Sequence, residues 1–420
     1  MATREPVTEA RATSDPAGRW SALALLSAAV LLSLVPWFSA ASVGPLIAAD
    51  WGISTFETAL LTVAVQVGFA GGALVVAFTG AADVIQARRL IAGGALIASA
   101  ANAAFALLAT DLLTALPLRA LSGAGIAAVY PVGMKVLAGW VRRERGLAVG
   151  VLIGAITLGS ALPHAIRAGG AMAALDWRPI VLAASLSGVV AAALAWRGVR
   201  DGPLTVPAAR LSLRMARAAL GDRSVQLANL GYLGHMWELY AMWTWVPAFL
   251  AASLAVSGGV TAQGASSAAF LVVAAGALGC VAAGALADRL GRTTLTIAAM
   301  ALSGTSAVAA GLLFGAPTVV VLAVVVIWGI TVVADSAQFS TAVSELAPSG
   351  TAGSALALQT AGGFLLTGVT ILGVGLLDPG QGSSWAVAFG ILALGPLVGI
   401  LAMLRLRGLP DAVRMAGGRR

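Results

Sequence analysis

Apolar runs of roughly twenty residues recur along this chain, separated by short polar, glycine- or proline-containing stretches. At about 1.5 Å of rise per helical residue, a run of that length spans the hydrocarbon core of a bilayer. The pattern predicts helices over 20–48, 56–80, 90–109, 113–137, 146–167 and 179–197, then over 225–251, 264–286, 294–314, 317–342, 352–376 and 384–405. Between the two sets, 198–223 is polar, basic and proline-containing, and 211–220 fits a short amphipathic helix on the membrane surface. The segment 1–19 carries three arginines, three acidic residues and no apolar core, and reads as a disordered tail. The next run is too long for a signal-peptide core, so it should remain as the first span. Within it, Pro36 and the following Trp37-Phe38-Ser39-Ala40-Ala41-Ser42 predict a local break with small polar groups facing inward.

The two sets repeat. Asp83 follows the second helix and Asp288 the eighth, 205 residues later; Trp37 and Trp243 sit at similar places in the first and seventh, 206 residues apart. The expected fold is an all-α integral membrane protein, with twelve transmembrane helices as two pseudo-symmetric six-helix bundles related by an axis along the membrane normal. Its parts are a tail (1–19), a first bundle (20–197), a linker (198–224), a second bundle (225–405) and a closing tail (406–420). Chains built this way place a binding site between the bundles near the midplane and alternate access to it by rocking.

Composition agrees. With 59% hydrophobic and 10% charged residues and a mean hydropathy of +0.95, this is no soluble globular protein. The 51 glycines suit close helix contacts in a membrane. The single cysteine, Cys280, excludes an internal disulfide and a cysteine-based metal cluster, and its apolar run assigns it to packing. No phosphate-cradling loop, paired zinc ligands or nucleophile elbow occurs, so neither an enzyme nor a cofactor or metal is expected. A net charge of +8 invites a nucleic-acid reading, but the positions of the charges decide otherwise. With the amino terminus in the cytoplasm, 22 of 25 basic residues fall on that side, leaving Arg119 inside a helix and Arg167 and Arg178 on the far side. The positive-inside rule then sets both termini cytoplasmic in a multi-pass protein of the cell (inner) membrane, with lipid rather than nucleic acid as partner.

Against this background the seventh run stands out. It carries His235 and Glu238 near its middle, three positions apart and so on one helical face. A carboxylate at bilayer depth costs about 2.5–3.5 kcal/mol on insertion scales. A helix facing only lipid offsets none of that, so this face must look onto protein or a wet cavity.

Two motifs carry a family resemblance. Gly284-Ala-Leu-Ala-Asp288-Arg289-Leu-Gly291-Arg292, between helices eight and nine, resembles the loop signature of the major facilitator superfamily. Arg119-Ala-Leu-Ser-Gly123-Ala-Gly125 resembles that family's helix-four signature. The first-half loop departs from the pattern: Asp83 remains, Val84 replaces the first arginine, and Gln86-Ala87-Arg88-Arg89 replaces the Gly-Arg ending. The resemblance implies that Asp83, Arg88, Arg89, Gly284, Asp288, Arg289 and Arg292 form gating loops, each aspartate facing a helix amino terminus of the opposite bundle, where an anion is favoured. The alternative is a solvated turn whose arginines only enforce topology.

The resemblance further implies that helices one, four, seven and ten line a cavity. Its polar wall would then hold Trp37, Ser39 and Ser42; Arg119, Tyr130 and Lys135; Tyr232, His235, Glu238 and Tyr240; and Asp335 and Gln338. Glu238 is the expected proton-coupling site, or else a structural partner of His235 or a tyrosine. His235 is the expected proton partner or substrate ligand, or else makes a helix-packing hydrogen bond, and Asp335 is a further proton candidate, a gate pair or a cap. Arg119 either pairs with an acidic residue or binds an anionic substrate group. Trp237, Trp243 and Trp245 divide between cavity wall and interfacial belt, and His164 and Arg167 belong to an outer vestibule. The implied function is secondary active transport of a small polar or anionic solute by alternating access, with proton symport, in a monomer. A proton-coupled drug exporter is the alternative, although Ser160-Ala-Leu separates Gly159 from Pro163 where exporters carry Gly-Pro. A membrane sensor that binds without moving its ligand is the reading from a different class.

Overall fold

The computed structural model describes residues 15–169, 176–205, 212–258, 260–380 and 382–419. Most of the expected 1–19 tail and the middle of the linker lie outside the described residues. Among these residues every regular element is helical. The first span, α1, is broken into Arg19–Leu34, Ser39–Ser42 and Gly44–Trp51. Eleven further helices are long and apolar enough to cross a membrane. They are α2 (Thr55–Thr79), α3 (Ala87–Leu108), α4 (Leu112–Trp140), α5 (Arg145–Ala168), α6 (Trp177–Gly198), α7 (Arg223–Gly258), α8 (Ala262–Leu290), α9 (Arg292–Leu312), α10 (Thr318–Leu346), α11 (Ala352–Leu377) and α12 (Gly382–Arg407). Apolar side chains such as Leu113 and Val319 are 81% and 79% exposed on the outside of these helices, as a lipid-facing surface requires.

Local chemistry sets several helix ends. Ser54 Oγ accepts the Glu57 N–H at 3.2 Å, and the Glu57 carboxylate accepts the Ser54 N–H at 2.8 Å. Asp111 and Thr114 close the start of α4 in the same reciprocal way, which satisfies donors that a helix start otherwise leaves orphaned. Gly80 ends α2 with φ 66°, a left-handed conformation that costs glycine little. The short helix Leu213–Gly221, expected on the surface, packs against α7 and α11 through Ala216 and Ala219.

The largest departure from the expected ends is α7. Predicted over 225–251, it runs for 36 residues and continues through Pro247. That is about 54 Å at roughly 1.5 Å per residue, well past the hydrocarbon core. The repeat holds at the backbone level. Leu112 and Thr318 open the fourth and tenth spans at the same sequence offset that separates Trp37 from Trp243. Ala87 and Arg292 open the third and ninth at the offset that separates Asp83 from Asp288. Both α4 and α10 also break midway, restarting at Tyr130 and Ser336, which stand at the Trp37-to-Trp243 offset once more. Pro131 accounts for the first break. The second has no proline and no helix breaker to announce it; Asp335 occupies the cap position there without making a side-chain cap bond.

The bundles α1–α6 and α7–α12 meet along two seams, α5 against α8 and α2 against α11. Small residues set the α5–α8 approach. A Cβ on Gly150 would lie 2.5 Å from the Cys280 carbonyl oxygen, and one on Gly284 would strike the Gly146 carbonyl. The two backbones are therefore in contact near the face that carries both chain ends. Cys280 is buried in this seam, as its apolar run suggested.

Candidate functional site

Three cavities lie along the boundary between the bundles. On the terminus-bearing face, a space of about 260 Å³ is bordered by Asp83, Tyr130, Lys135, Ser340 and Thr360, among others. On the opposite face, a space of about 510 Å³ reaches His164, Arg167, Thr244, Trp245 and Asp378. Between them sits a chamber of only about 60 Å³, walled by Trp37, Phe69, Tyr130, Tyr232, His235, Tyr240, Trp243, Ser336 and Phe364.

Aromatic rings close the centre. Phe69 of α2 and Phe364 of α11 approach to 4.2 Å between centroids, and Trp37 of α1 lies 5.9 Å from Tyr240 of α7. Tyr240 in turn lies 5.0 Å from Phe364 and 5.3 Å from Trp243. The Phe69–Phe364 and Trp37–Tyr240 contacts join the bundles across the midplane, beyond the worth of the area they bury. The chamber shares Tyr130, Ser340 and Thr360 with the space on the terminus-bearing face.

Titratable groups gather on the second bundle. His235 presents Nδ1 at 2.9 Å from Asp335 Oδ1 and Nε2 at 2.8 Å from Ser336 Oγ. It is 2% exposed and Asp335 is 1% exposed. The approach to Asp335 is close but poorly directed, so neither Asp335 oxygen has a well-formed hydrogen bond. The break in α10 creates this arrangement by turning Asp335 and Ser336 toward α7. Glu238, one turn along from His235, points elsewhere. Ser303 Oγ of α9 donates to its Oε2 and Trp328 Nε1 of α10 to its Oε1, both at 2.8 Å. It sits inside the second bundle behind the chamber wall.

Arg119 is fully buried in the first bundle. Its Nη1 donates to Pro36 O at 3.1 Å and Asn102 Oδ1 at 2.5 Å, its Nη2 to Trp37 O at 2.6 Å, and its Nε to Leu61 O at 3.3 Å. Of the two expected roles, an acidic partner is not what these bonds supply. They go to carbonyls, two of them freed where Pro36 breaks α1. Gln338 likewise stands away from the chamber, where Arg292 Nη1 donates to its Oε1 at 2.8 Å.

The same arginine organises the second-half loop. Arg292 grips Glu345, at the end of α10, in a two-point pair at 2.8 and 2.7 Å, and reaches Asp288 at 3.4 Å. A Cβ on Gly146 would lie 3.3 Å from Asp288 Oδ2, so this carboxylate stands beside the first turn of α5 in the opposite bundle. A helix amino terminus favours an anion there. Arg289 is exposed. In the first half, Asp83 pairs with Lys135 of its own bundle, while Arg88 bonds Gln86 at 3.2 Å and Arg89 is exposed.

Trp37, Tyr130, Tyr240 and His235, all expected in the cavity, do meet there, and Asp335 joins them through His235. Of the three tryptophans, Trp243 lines the chamber, Trp245 the far-face space, and Trp237 bonds Ile391 O of α12 at 3.0 Å. His164 and Arg167 border the far-face space as an outer vestibule would. Sequence reasoning missed Phe69, Phe364 and Glu345. Phe364 was legible as the lone aromatic of its helix, but the family resemblance points only to helices one, four, seven and ten as wall.

Comparison with known proteins bears on the whole chain. The family model described as Major Facilitator Superfamily matches residues 25–371. No curated protein sequence is significantly similar to the chain. Among solved structures, a partially occluded, inward-open conformation of the xylose transporter XylE from E. coli superposes with a TM-score of 0.70 at 14% identity, covering 92% of this chain and 99% of that one. A D-xylose–proton symporter superposes with a TM-score of 0.71 at 14% identity, covering 94% and 99%. At that identity the likeness is one of fold.

Proposed function

The chain belongs to the Major Facilitator Superfamily, and on that premise, which makes it a multi-pass secondary transporter of a small molecule, we propose that it couples solute movement to protons through the His235–Asp335 pair. The observation that carries this reading is a buried carboxyl, that of Asp335, held 2.9 Å from the imidazole of His235, which itself lines the chamber. Two such groups share one proton comfortably and two or none poorly, because an unpaired charge in a dry site is costly. A proton arriving at or leaving this pair therefore changes the charge beside the solute. Glu238 differs: two donors already hold its two oxygens and tie α7 to α9 and α10, away from the chamber. The coupling role expected of Glu238 is accordingly assigned to its neighbour one turn away.

The moving units are 20–197 and 225–405, rocking about the α5–α8 and α2–α11 seams. The terminus-bearing face is read as cytoplasmic by the positive-inside rule, and the cell (inner) membrane as the site of action. Symport fits a fold that also serves a D-xylose–proton symporter. The anionic-solute reading loses the cation it relied on, because Arg119 is occupied by carbonyls.

Proteoliposomes holding a trapped pH dye test the proposal. Adding a metabolite mixture outside should acidify the lumen with the wild-type protein. Asp335→Asn should cut that signal at least tenfold while solute exchange continues. Glu238→Gln should keep the signal within about threefold and lower thermal stability by about 1–3 kcal/mol, the cost of a disturbed buried bond. The opposite pattern would return the coupling role to Glu238. Ligand-induced thermal stabilisation without any proton or solute flux would favour the sensor.

A further inference from the structure

We infer that the central chamber receives an uncharged planar ring carrying acceptor oxygens, recognised by unpaired indole and phenol donors on its wall; this rests on the transport reading above. The sequence contains three tyrosines, and Tyr130, Tyr232 and Tyr240 all line this one chamber. Among the described residues none of their hydroxyls has a hydrogen-bond partner. Trp37 and Trp243 line it as well, each with a buried indole N–H that is also unmatched. Away from the chamber, Trp328 and Trp245 donate theirs to Glu238 and Ile371 at 2.8 and 3.1 Å. Trp51 and Trp385 are unmatched too, so an idle indole alone marks nothing. Two such indoles and three unbonded phenols in the wall of one small space set this chamber apart. Buried donors are rarely left idle, and a ligand oxygen reaching them would give them a partner.

Charge and shape narrow the class. No lysine or arginine lines the chamber. The imidazole of His235 is already committed to Asp335 and Ser336. A fixed anion would find no unpaired cation, and a fixed cation would find only a carboxyl that is already faced. A sugar presents hydroxyls on every side, whereas the lining of this chamber is mostly aromatic and aliphatic. Aromatic faces such as Phe69, Tyr240 and Phe364 stack on a flat ring. At about 60 Å³ the chamber is collapsed around its rings, so entry must part Phe69 from Phe364, a pair that bridges the bundles.

The test uses nicotinamide, benzoate and xylose as probes on the purified full-length protein. Tryptophan emission reports binding, and counterflow of labelled probe in proteoliposomes reports transport. Nicotinamide should bind saturably, with benzoate and xylose at least tenfold weaker. Tyr240→Phe, which keeps the ring, and Trp243→Phe should each weaken nicotinamide roughly tenfold, the equivalent of about 1.4 kcal/mol. The inference is overturned if nicotinamide shows no saturable binding, if benzoate or xylose binds more tightly, or if both variants bind nicotinamide as the wild type does. Nicotinamide binding without counterflow would leave the ligand class standing and overturn the transport reading. Counterflow of xylose or benzoate alone would do the reverse.

Discussion

The two bundles share a backbone plan, yet they use buried charge in opposite ways. In the first, Arg119 spends its donors on Pro36 O, Trp37 O, Leu61 O and Asn102, and so repairs the break in α1. In the second, the break in α10 sets Asp335 against His235 and leaves its oxygens without well-formed bonds. A guanidinium keeps its proton at any physiological pH. One bundle therefore uses buried charge to hold its shape, and on the proposed coupling the other uses it to respond. The loops differ in the same sense. Arg292 ties Glu345 and Asp288 beside the first turn of α5 across the seam. Asp83, by contrast, pairs with Lys135 inside its own bundle.

The heaviest blow to this contrast should come from Arg119→Leu. It would orphan several buried acceptors at about 1–3 kcal/mol each, so thermal unfolding in detergent should show a large loss of folded protein. A variant that unfolds like the wild type but no longer binds solute would mean that Arg119 faces the substrate after all. Next in size is Glu345→Gln, which removes one partner of a half-buried two-point ion pair. If the pair supports closure, turnover should fall about tenfold while binding changes less than twofold, since neither residue lines the chamber; equal losses in both would place Glu345 at the site. Smallest is Asp83→Asn. A partly exposed pair within one bundle is worth about 0–1 kcal/mol, so turnover and melting temperature should stay near wild type, and an effect as large as that of Glu345→Gln would make the two loops equivalent.

Much of the fold was legible because a bilayer demands one thing of every span. Backbone groups must be satisfied internally, so apolar length alone marks a helix. The offset between Asp83 and Asp288 announced the repeat, and Pro36 announced the break in α1. The break before Ser336 had no such signal, and without it Asp335 could not be set against His235. Glu238 shows the converse. Its cost in lipid was plain from sequence, but a helical face has many angular positions, and His235 looks onto the chamber while Glu238, three residues on, looks into its own bundle.

The order of residues by itself determined that this chain is a twelve-span, twofold-repeated helical membrane protein and which charges it buries, because hydropathy, proline and basic-residue bias act locally. Tertiary structure decided which partner each buried charge found. Arg119 met carbonyls where an acid or an anion was expected, Glu238 met Ser303 and Trp328, and three scattered tyrosines met around one space. Those outcomes depend on helix rotation and on the crossing of distant spans, which packing fixes and linear spacing does not.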